Sequence, residues 1–498
     1  MSELNSQKRI SINILSAVLQ VFVIGLIYFL LYKYLVDKLG VEQLGVWSII
    51  LATSSVGNLA NLGVTSGLIK FIADYNSKNK VEDIPKLIFT ALLTIIFFFS
   101  LVIFILFLCA KIFLTYIIEP KYISIAFEIL PYSLLCLFIN SVGGVFTSTL
   151  EGLQKNYIRN FLMIFSSILL LLLSYYLVPL YGLKGVAVAQ VFQAFIVLIG
   201  SYIMLKQVLY FRIFNKWNWD KFIFKELLNY GLKFQAISMS QMLYEPITKG
   251  LISKFGGLTV LGYYEMASRL VNQVRALIVS ANQVMIPVVA HTVNINKDAV
   301  ENLYLKTISI TFFVNIILTA TLLVFTPLVS IMWIGIYEPT FVFSMIVLSL
   351  AMFINILCGP AYFSSLGEGE LNIILKSQII IGFLNLLLGF SLGFIFDGKG
   401  VIVSWALSVI SGSLYLIYNY QKNKRISTKF IFSKYNVFIF LILAFNSILS
   451  FYFFNMIQNY FGNVVKSFLF YFLIFGFLSL FLILKSPILK SVLNKNKS

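Results

Sequence analysis

Charged residues are scarce in this sequence, and the residue types that most often perform catalysis are nearly missing. Only 11% of the 498 residues are charged, and His291 is the single histidine. The three cysteines, Cys109, Cys136 and Cys358, fall in apolar stretches without the paired spacing of metal ligands or redox motifs. The sequence contains no Walker A motif and no nucleophile with a histidine partner. We therefore expect no enzyme activity, no metal site and no cofactor.

Apolar residues make up most of the chain instead. Hydrophobic residues account for 60% of it and aromatic residues for 16%. A helix needs about 20 apolar residues to cross a bilayer, and about fourteen runs of that kind recur along the sequence. The predicted spans are 11–36, 44–72, 87–113, 122–149, 157–179, 184–207, 224–252, 258–289, 303–330, 340–366, 372–396, 400–420, 434–457 and 463–485. The sequence therefore predicts an all-α, polytopic membrane protein.

The distribution of positive charge predicts the orientation of these spans. A net charge of +18 would indicate nucleic-acid binding in a soluble protein. Here an even number of spans places both termini on one side, and most lysines and arginines flank the spans on that side. Because cytoplasmic loops carry an excess of Lys and Arg, we expect cytoplasmic termini and no nucleic-acid partner.

Three short segments of the sequence recur in order, 215 to 217 residues later. The matched residues are Lys38 with Lys254, Gly40 with Gly256, Gly45 with Gly262, Glu151 with Glu368, Gly152 with Gly369, Arg159 with Lys376, and Lys184-Gly185-Val186 with Lys399-Gly400-Val401. Six predicted spans separate the copies, and this even number gives both copies the same orientation.

These parallel repeats predict two six-helix lobes. We expect an N-lobe at 1–207, a cytoplasmic amphipathic linker at 208–223, a C-lobe at 224–421 and two additional spans within 422–498. The linker alternates basic residues with aromatic ones, which is typical of a segment resting on an anionic leaflet.

Four features together resemble a known family. They are the plan of six, six and two spans, the LG-x₃-LG turn after the first span of a lobe, the EG step after the fourth, and YGLKGVAVA before the sixth. The chain resembles bacterial polysaccharide transporters, the lipid-linked oligosaccharide flippases of the multidrug/oligosaccharidyl-lipid/polysaccharide exporter superfamily. The resemblance implies a V-shaped pair of lobes that opens a central cavity alternately to each side.

The same resemblance implies a substrate, a location and partners. The substrate would be an undecaprenyl-diphosphate-linked oligosaccharide, moved across the bacterial cytoplasmic (inner) membrane for O-antigen or capsule synthesis. Membrane lipids, a coupling ion (H⁺ or Na⁺), a polysaccharide polymerase and a chain-length regulator are the implied partners.

The predicted span at 258–289 carries a polar half-face. Its members are Glu265, Ser268, Arg269, Asn272, Gln273, Arg275, Asn282 and Gln283. Ionisable residues inside a span mark functional sites by default. Either they form buried pairs, such as Glu265 with Arg269 one turn on, or the face lines a water-filled cavity.

From this face we predict a cationic substrate cavity. Its residues would be Arg269, Arg275, Lys249, Asn272, Asn58 and Asn61. Asn58 corresponds to Arg275 by the repeat, so the first lobe would supply neutral groups where the second supplies charge. Arginine engages diphosphate oxygens bidentately, which suits an anionic carrier lipid.

Glu245 is the candidate for ion coupling. It shares one face of the span at 224–252 with Ser238, Gln241 and Lys249, and Pro246 interrupts the same turn. A carboxylate in a partly dry cavity can exchange protons, but Glu245 could instead only pair with Lys249. Pro246 either bends the helix for alternating access or shapes its packing.

Two other functions fit the same sequence, and a third fits less well. A lipid II flippase or an ion-coupled multidrug antiporter of the superfamily would have the same plan of spans. A membrane glycosyltransferase or polymerase would need catalytic groups in a sizeable external loop, and the predicted external loops are short.

Overall fold

Every regular element in the part of the chain that the structure describes is a helix. The computed structural model describes residues 2–57, 61, 63–78, 81–209, 219–283, 285, 288–289, 297–426, 466 and 470. The helices are α1 (Ser2–Leu39), α2 (Val41–Val56), α3 (Val64–Ser77), α4 (Ile84–Ile117), α5 (Pro120–Gly152), α6 (Asn156–Tyr181), α7 (Leu183–Leu209), α8 (Lys221–Asn282), α9 (Lys297–Ile334), α10 (Pro339–Leu357), α11 (Gly359–Glu368) and α12 (Leu371–Lys424), with a 3₁₀ turn at Val81–Asp83.

The surfaces of these helices are apolar where a soluble protein would be polar. Large side chains such as Phe97, Phe104 and Phe394 are exposed, the last with 83% of its surface open. Among the described residues, eight helical stretches are long and apolar enough to cross a membrane. Exposed apolar patches of this extent match a lipid environment. The prediction of an all-α, multi-pass membrane protein is confirmed.

The first twelve predicted spans coincide with helices, but several helices are broken or joined. The span at 44–72 becomes α2 and α3, and the span at 340–366 becomes α10 and α11. In the other direction, α8 joins two spans across Gly257, and α12 joins two across Phe396 and Asp397, which leave helical geometry. The predicted spans at 434–457 and 463–485 lie outside the described residues, apart from 466 and 470.

Contacts along the chain divide it into two compact units, Met1–Gly262 and Tyr263–Ser498. In the first unit, buried side chains of α3, α4 and α5 form a core around Leu68, Ile88 and Val145. In the second, a smaller core joins α9 and α10 around Phe312, Ile316 and Leu357. The predicted lobe and linker boundaries stay a prediction.

The two copies of the repeat share backbone conformations at matched positions. The first example lies in the segments around Gly40 and Gly257. Gly40 (φ 81°, ψ 164°) precedes α2, and Gly257 (φ 76°, ψ 173°) breaks α8. Essentially only glycine adopts this conformation. Gly40 therefore corresponds to Gly257, and its predicted pairing with Gly256 is wrong by one residue. From this point the spacing is 217, as it is for Gly45 and Gly262.

The third match is also visible in the backbone. Gly182 (φ 56°, ψ −138°) and Asp397 (φ 54°, ψ −149°) lie 215 residues apart and share one conformation. Three residues after Gly182 and Asp397, Gly185 and Gly400 pack so closely that a Cβ would overlap a backbone carbonyl oxygen. The Lys-Gly-Val pairing read from the sequence is therefore confirmed.

The second match has a different register in the structure. The turn after α5 closes with hydrogen bonds from the amides of Gln154 and Lys155 to the carbonyls of Glu151 and Leu150, at 2.8 and 2.9 Å. The turn after α11 closes in the same way, from Gly369 and Glu370 to Leu366 and Ser365, at 3.2 and 2.8 Å. The hydrogen bonds thus set a spacing of 215 residues here.

This spacing corrects the predicted pairing of Glu151 with Glu368 and of Gly152 with Gly369, because it makes Leu366 the counterpart of Glu151. The side chains agree. Glu151 forms an ion pair with Arg159, whereas Glu368 binds Lys424 at 2.6 Å. Two Glu-Gly dipeptides near one turn gave a plausible sequence match in the wrong register.

Candidate substrate site

Arg275 lies in the second half of α8 and is joined to two other helices of the second unit. Its Nε donates to Oδ1 of Asn355 on α10 at 3.0 Å. Nδ2 of Asn355 in turn donates to Oγ of Ser413 on α12 at 3.1 Å. Asn355 is thus oriented by Ser413 and accepts from the guanidinium. The three residues form a polar chain across α8, α10 and α12.

The described residues use only part of the hydrogen-bonding capacity of Arg275. A guanidinium has five N–H donors and stays charged at any physiological pH. Among the described residues, Arg275 forms one hydrogen bond and no ion pair with a carboxylate, and its side chain is half-buried. A cation that the described residues satisfy only in part favours an anionic ligand, because its charge is otherwise expensive within a membrane.

Arg269 lies six residues earlier on α8 and is neutralised by a neighbour. Its Nε donates to Oε1 of Glu265 at 2.7 Å, and the Glu265 side chain is only 2% exposed. Of the two interpretations of the polar half-face, the ion pair between Glu265 and Arg269 is therefore present. Asn272 is exposed, and its Nδ2 donates to Oγ of Ser268 at 3.0 Å.

Lys249 and Glu245 form an ion pair within the first unit, with 2.9 Å between Nζ and Oε1. The Lys249 side chain is 4% exposed and the Glu245 side chain 62% exposed. The backbone stays helical at Pro246, and the one non-helical residue inside α8 is Gly257. The side chains of Ser238 and Gln241 lie outside the described residues.

Asn61 uses its amide locally, at the start of α3. Its Oδ1 accepts from the backbone N–H of Thr65 at 3.2 Å, and its Nδ2 donates to the hydroxyl of Thr65 at 2.9 Å. Asn58 lies outside the described residues. Arg269, Asn272 and Arg275 thus share one stretch of α8 in the second unit, while the assembly of all six predicted residues into one cavity stays a prediction.

Sequence reasoning missed the polar residues of the other helices. Asn355 and Ser413 were absent from the predicted site, as was Asn315 on α9, whose Nδ2 donates to the carbonyl of Phe353 at 2.8 Å. Asparagine within an apolar run is the available signal, because an unsatisfied amide is costly in a bilayer. That signal marks a residue as important without naming its partner.

Comparison with known proteins identifies the family. The sequence model described as "Polysaccharide biosynthesis protein" matches residues 8–293, more than half of the chain. The chain belongs to this polysaccharide biosynthesis family. The resemblance read from the sequence is confirmed. No curated protein sequence matches this family member closely enough to count as a relative.

Solved structures show which fold this polysaccharide biosynthesis protein has. An inward-facing multidrug resistance MATE family transporter of the MOP superfamily matches with a TM-score of 0.71 and 15% identity, over 82% of this chain and 98% of that one. The lipid II flippase MurJ, in an inward closed conformation, matches with a TM-score of 0.71 and 15% identity, over 96% of this chain and 98% of that one. A MOP superfamily transporter from Pyrococcus furiosus matches with a TM-score of 0.59 and 15% identity, over 83% of this chain and 95% of that one. The fold is that of MOP superfamily membrane transporters.

Proposed function

We propose that this protein is a flippase that moves undecaprenyl-diphosphate-linked oligosaccharides outward across the cytoplasmic membrane for surface polysaccharide synthesis. The observation that carries the proposal is Arg275, a cation that the described residues leave without a carboxylate partner in a transporter fold. A diphosphate offers several acceptor oxygens to the free N–H groups of the guanidinium. The family assignment supplies the polysaccharide context.

The same chemistry argues against a cation antiporter. A site for organic cations would rely on unneutralised acids within the spans, whereas Glu265 on α8 is paired with Arg269. The Pyrococcus furiosus transporter is described as having a binding pocket of reversed polarity that suggests a different function. Pocket polarity is thus a reasonable guide to substrate class among proteins of this fold.

Lipid II flipping is the second candidate, supported by the structural match to MurJ over 96% of this chain. Lipid II also carries a diphosphate, so Arg275 fits both substrates equally. The family assignment favours the polysaccharide precursor.

Glu245 is proposed as the coupling residue for an inward H⁺ or Na⁺ gradient. Its carboxylate is mostly exposed while its partner Lys249 is buried. Proton binding by Glu245 would remove its ion pair with the buried ammonium of Lys249, which gives protonation a structural consequence. Glu245 could instead form a purely structural pair with Lys249 within one turn of α8. In that case transport by the Glu245→Gln variant should depend on the ion gradient as transport by the unaltered protein does.

For topology, we propose that both termini are cytoplasmic. Reporter fusions after Asn296 and Asn423 should report cytoplasm, and a fusion after Asp397 should report the exterior.

A deletion strain tests the function and separates the two lipid substrates. Loss of the gene should stop surface polysaccharide and leave lipid-linked oligosaccharide in the inner leaflet, where externally added glycosidases cannot reach it. A lipid II flippase would instead be needed for peptidoglycan, and its loss would lyse cells that still make polysaccharide. Surface polysaccharide that continues at wild-type level would contradict the proposal.

A further inference from the structure

An apolar groove of about 660 Å³ lies on the surface of the first unit, between α6 and α7. Its walls include Tyr157, Phe161 and Phe165 of α6 and Ile199, Ile203 and Met204 of α7. A single residue, Gly182, joins the two helices, so they run antiparallel. This α6–α7 groove therefore lies towards the end of the pair where α6 begins and α7 ends.

Gly200 helps to keep the groove open, because it has no side chain to fill it. A Cβ at this position would come within 2.6 Å of Cδ1 of Leu162, so glycine lets α7 pack closely on α6 here. Phe161 and Ile199 leave 69% and 53% of their surfaces exposed beside this contact. The surface between the two helices is thus a hollow lined by hydrocarbon, which suits a hydrocarbon chain.

The length of the groove fits one chain of a phospholipid. On α6 the lining residues run from Tyr157 to Phe165, which is about 12 Å at the helical rise of 1.5 Å per residue. One leaflet supplies about 15 Å, half of the hydrocarbon core of a bilayer. The groove therefore matches an acyl chain within one leaflet, whereas the longer tail of a polyprenyl carrier would extend past it.

Two lysines that the described residues leave unpaired lie at this end of the helix pair. Lys206 is exposed and lies one turn after Ile203 on α7, and Lys155 directly precedes α6. Within the described part of the chain, neither side chain forms a hydrogen bond or an ion pair. The nearby Arg159, in contrast, is neutralised by Glu151. The end of the groove thus carries two positive charges that a negatively charged headgroup could neutralise.

We propose that the α6–α7 groove binds an anionic phospholipid of the cytoplasmic leaflet. One acyl chain lies between the helices, and Lys155 and Lys206 bind the phosphate. Basic residues between transmembrane helices are a known way of holding anionic headgroups at this face of a membrane. A zwitterionic phospholipid offers the same chains without net negative charge and should bind more weakly. The leaflet follows from the proposed topology, whereas the site itself depends on neither topology nor the transported substrate.

The test is photo-cross-linking of the full chain in vesicles. The photoreactive residue benzoylphenylalanine replaces Phe161 in the groove, and the vesicles contain equal amounts of phosphatidylglycerol and phosphatidylcholine. Mass spectrometry gives the ratio of the two lipids in the cross-linked product. The matched control carries the same residue in place of Phe104 on α4, which is 63% exposed and lines another apolar hollow of the first unit.

We expect phosphatidylglycerol to be enriched at position 161 and both lipids to react equally at position 104. The enrichment should be about fivefold for each lysine, which corresponds to about 1 kcal/mol per basic residue near the surface. Lys206→Gln should therefore lower it about fivefold, and adding Lys155→Gln should remove it. Equal ratios at positions 161 and 104 would overturn the proposal, because they indicate ordinary surrounding lipid.

A second control separates a site from general attraction of anionic lipid to basic protein. Lys376 is an exposed lysine of α12 in the second unit, and Lys376→Gln should leave the enrichment at position 161 unchanged. An equal loss in Lys376→Gln and Lys206→Gln would refute the site.

The remaining occupant to test is the carrier lipid of the proposed function. Added polyprenyl diphosphate should leave the phosphatidylglycerol product at position 161 unchanged. If it displaces that product at position 161 and not at 104, the groove holds the carrier tail and the phospholipid proposal is wrong. Because the measurement needs no transport, failure of the flippase assignment would leave this result unaffected.

Discussion

The second helix of each repeat copy begins alike and then diverges. In the first copy, α2 follows Gly40 and ends at Val56 after 16 residues. In the second copy, the helix that follows Gly257 continues to Asn282 and carries Arg269 and Arg275. The backbone turn is thus shared, while length and charge are not.

This difference separates what the fold needs from what the substrate needs. The shared glycines define helix starts and close contacts, which any transporter built from this repeat requires. The arginines have no described counterpart of equal charge in α2, whose one charged residue is Glu42 near its start. We infer that the second copy supplies the charge of the proposed anion site, while the two copies share the scaffold.

The largest expected effect comes from removing the charge that only the second copy has. Arg275→Ala should abolish polysaccharide export at normal protein abundance, because the diphosphate loses its charged donor. Arg275→Lys should restore part of the export, since the charge survives while the bidentate fork is lost. Complementation of a deletion strain, with abundance measured by immunoblot, gives both readings.

Two companion variants sharpen this result. Asn355→Ala should lower export by roughly 10- to 150-fold, because a hydrogen bond to a charged group contributes roughly 1.5–3 kcal/mol. Lys376→Ala removes an exposed cation of the same sign and should have no effect. An Arg275→Ala protein that is absent from the membrane would favour a purely structural role.

The next effect tests what the two copies have in common. Gly185→Ala and Gly400→Ala should each reduce folded protein, because the added Cβ overlaps a backbone carbonyl oxygen at equivalent places. Overpacking of this kind destabilises by roughly 1–3 kcal/mol. Thermal unfolding in detergent measures it, with Gly382→Ala as the open-space control. Unequal losses at the two positions would weaken the structural equivalence.

A smaller effect is expected at the neutralised arginine of the second copy. Arg269→Ala removes the cation that pairs with the buried Glu265 at 2.7 Å, so abundance should fall more than export per molecule. Adding Glu265→Gln should restore abundance, because the buried charge is removed as well. If the double variant is abundant yet inactive, Arg269 binds substrate directly.

The smallest effect concerns Asp220, which lies in the predicted linker just before the second copy. Asp220 precedes α8, accepts from the amides of Phe222 and Ile223 at 2.7 and 3.1 Å, and pairs with Lys86 at 2.6 Å. The bond from Lys86, aided by the amides, lowers the pKa of Asp220 below its ordinary value of 3.8. A lowered pKa means that its stabilisation is complete above that value and is lost as the pH falls through the folded-state pKa.

Asp220→Asn should therefore lower the melting temperature slightly at neutral pH. The difference from the unaltered protein should shrink only in strong acid, below pH 3.8. A scan of melting temperature against pH checks this, and a difference that disappears already near neutral pH would contradict it.

Local sequence rules predicted part of the site. The pairs Glu245–Lys249 and Glu265–Arg269 follow from four-residue spacing on a helix, and the spans follow from apolar length. The partner of Arg275 could not be found in this way, because Asn355 lies 80 residues away and reaches it only through packing of α8 on α10.

The register of the repeat was also only partly readable. The predicted repeat partner of Gly40 was wrong by one residue and that of Glu151 by two. Gly256 and Gly257 are adjacent glycines, and a Glu-Gly dipeptide occurs near both turns, so sequence comparison could not distinguish the correct alignment from a shifted one. Backbone dihedrals and turn hydrogen bonds distinguish them.

Reconstitution tests the central claim, that Arg275 recognises the diphosphate of a flipped lipid, most directly. Purified protein in liposomes should move a fluorescent undecaprenyl-diphosphate-linked oligosaccharide between leaflets, Arg275→Lys should do so more slowly, and Arg275→Ala should not. A neutral polyprenyl glycolipid should be moved by none of them. Equal rates for the unaltered protein and Arg275→Ala, or equal transport of the neutral lipid, would contradict the account.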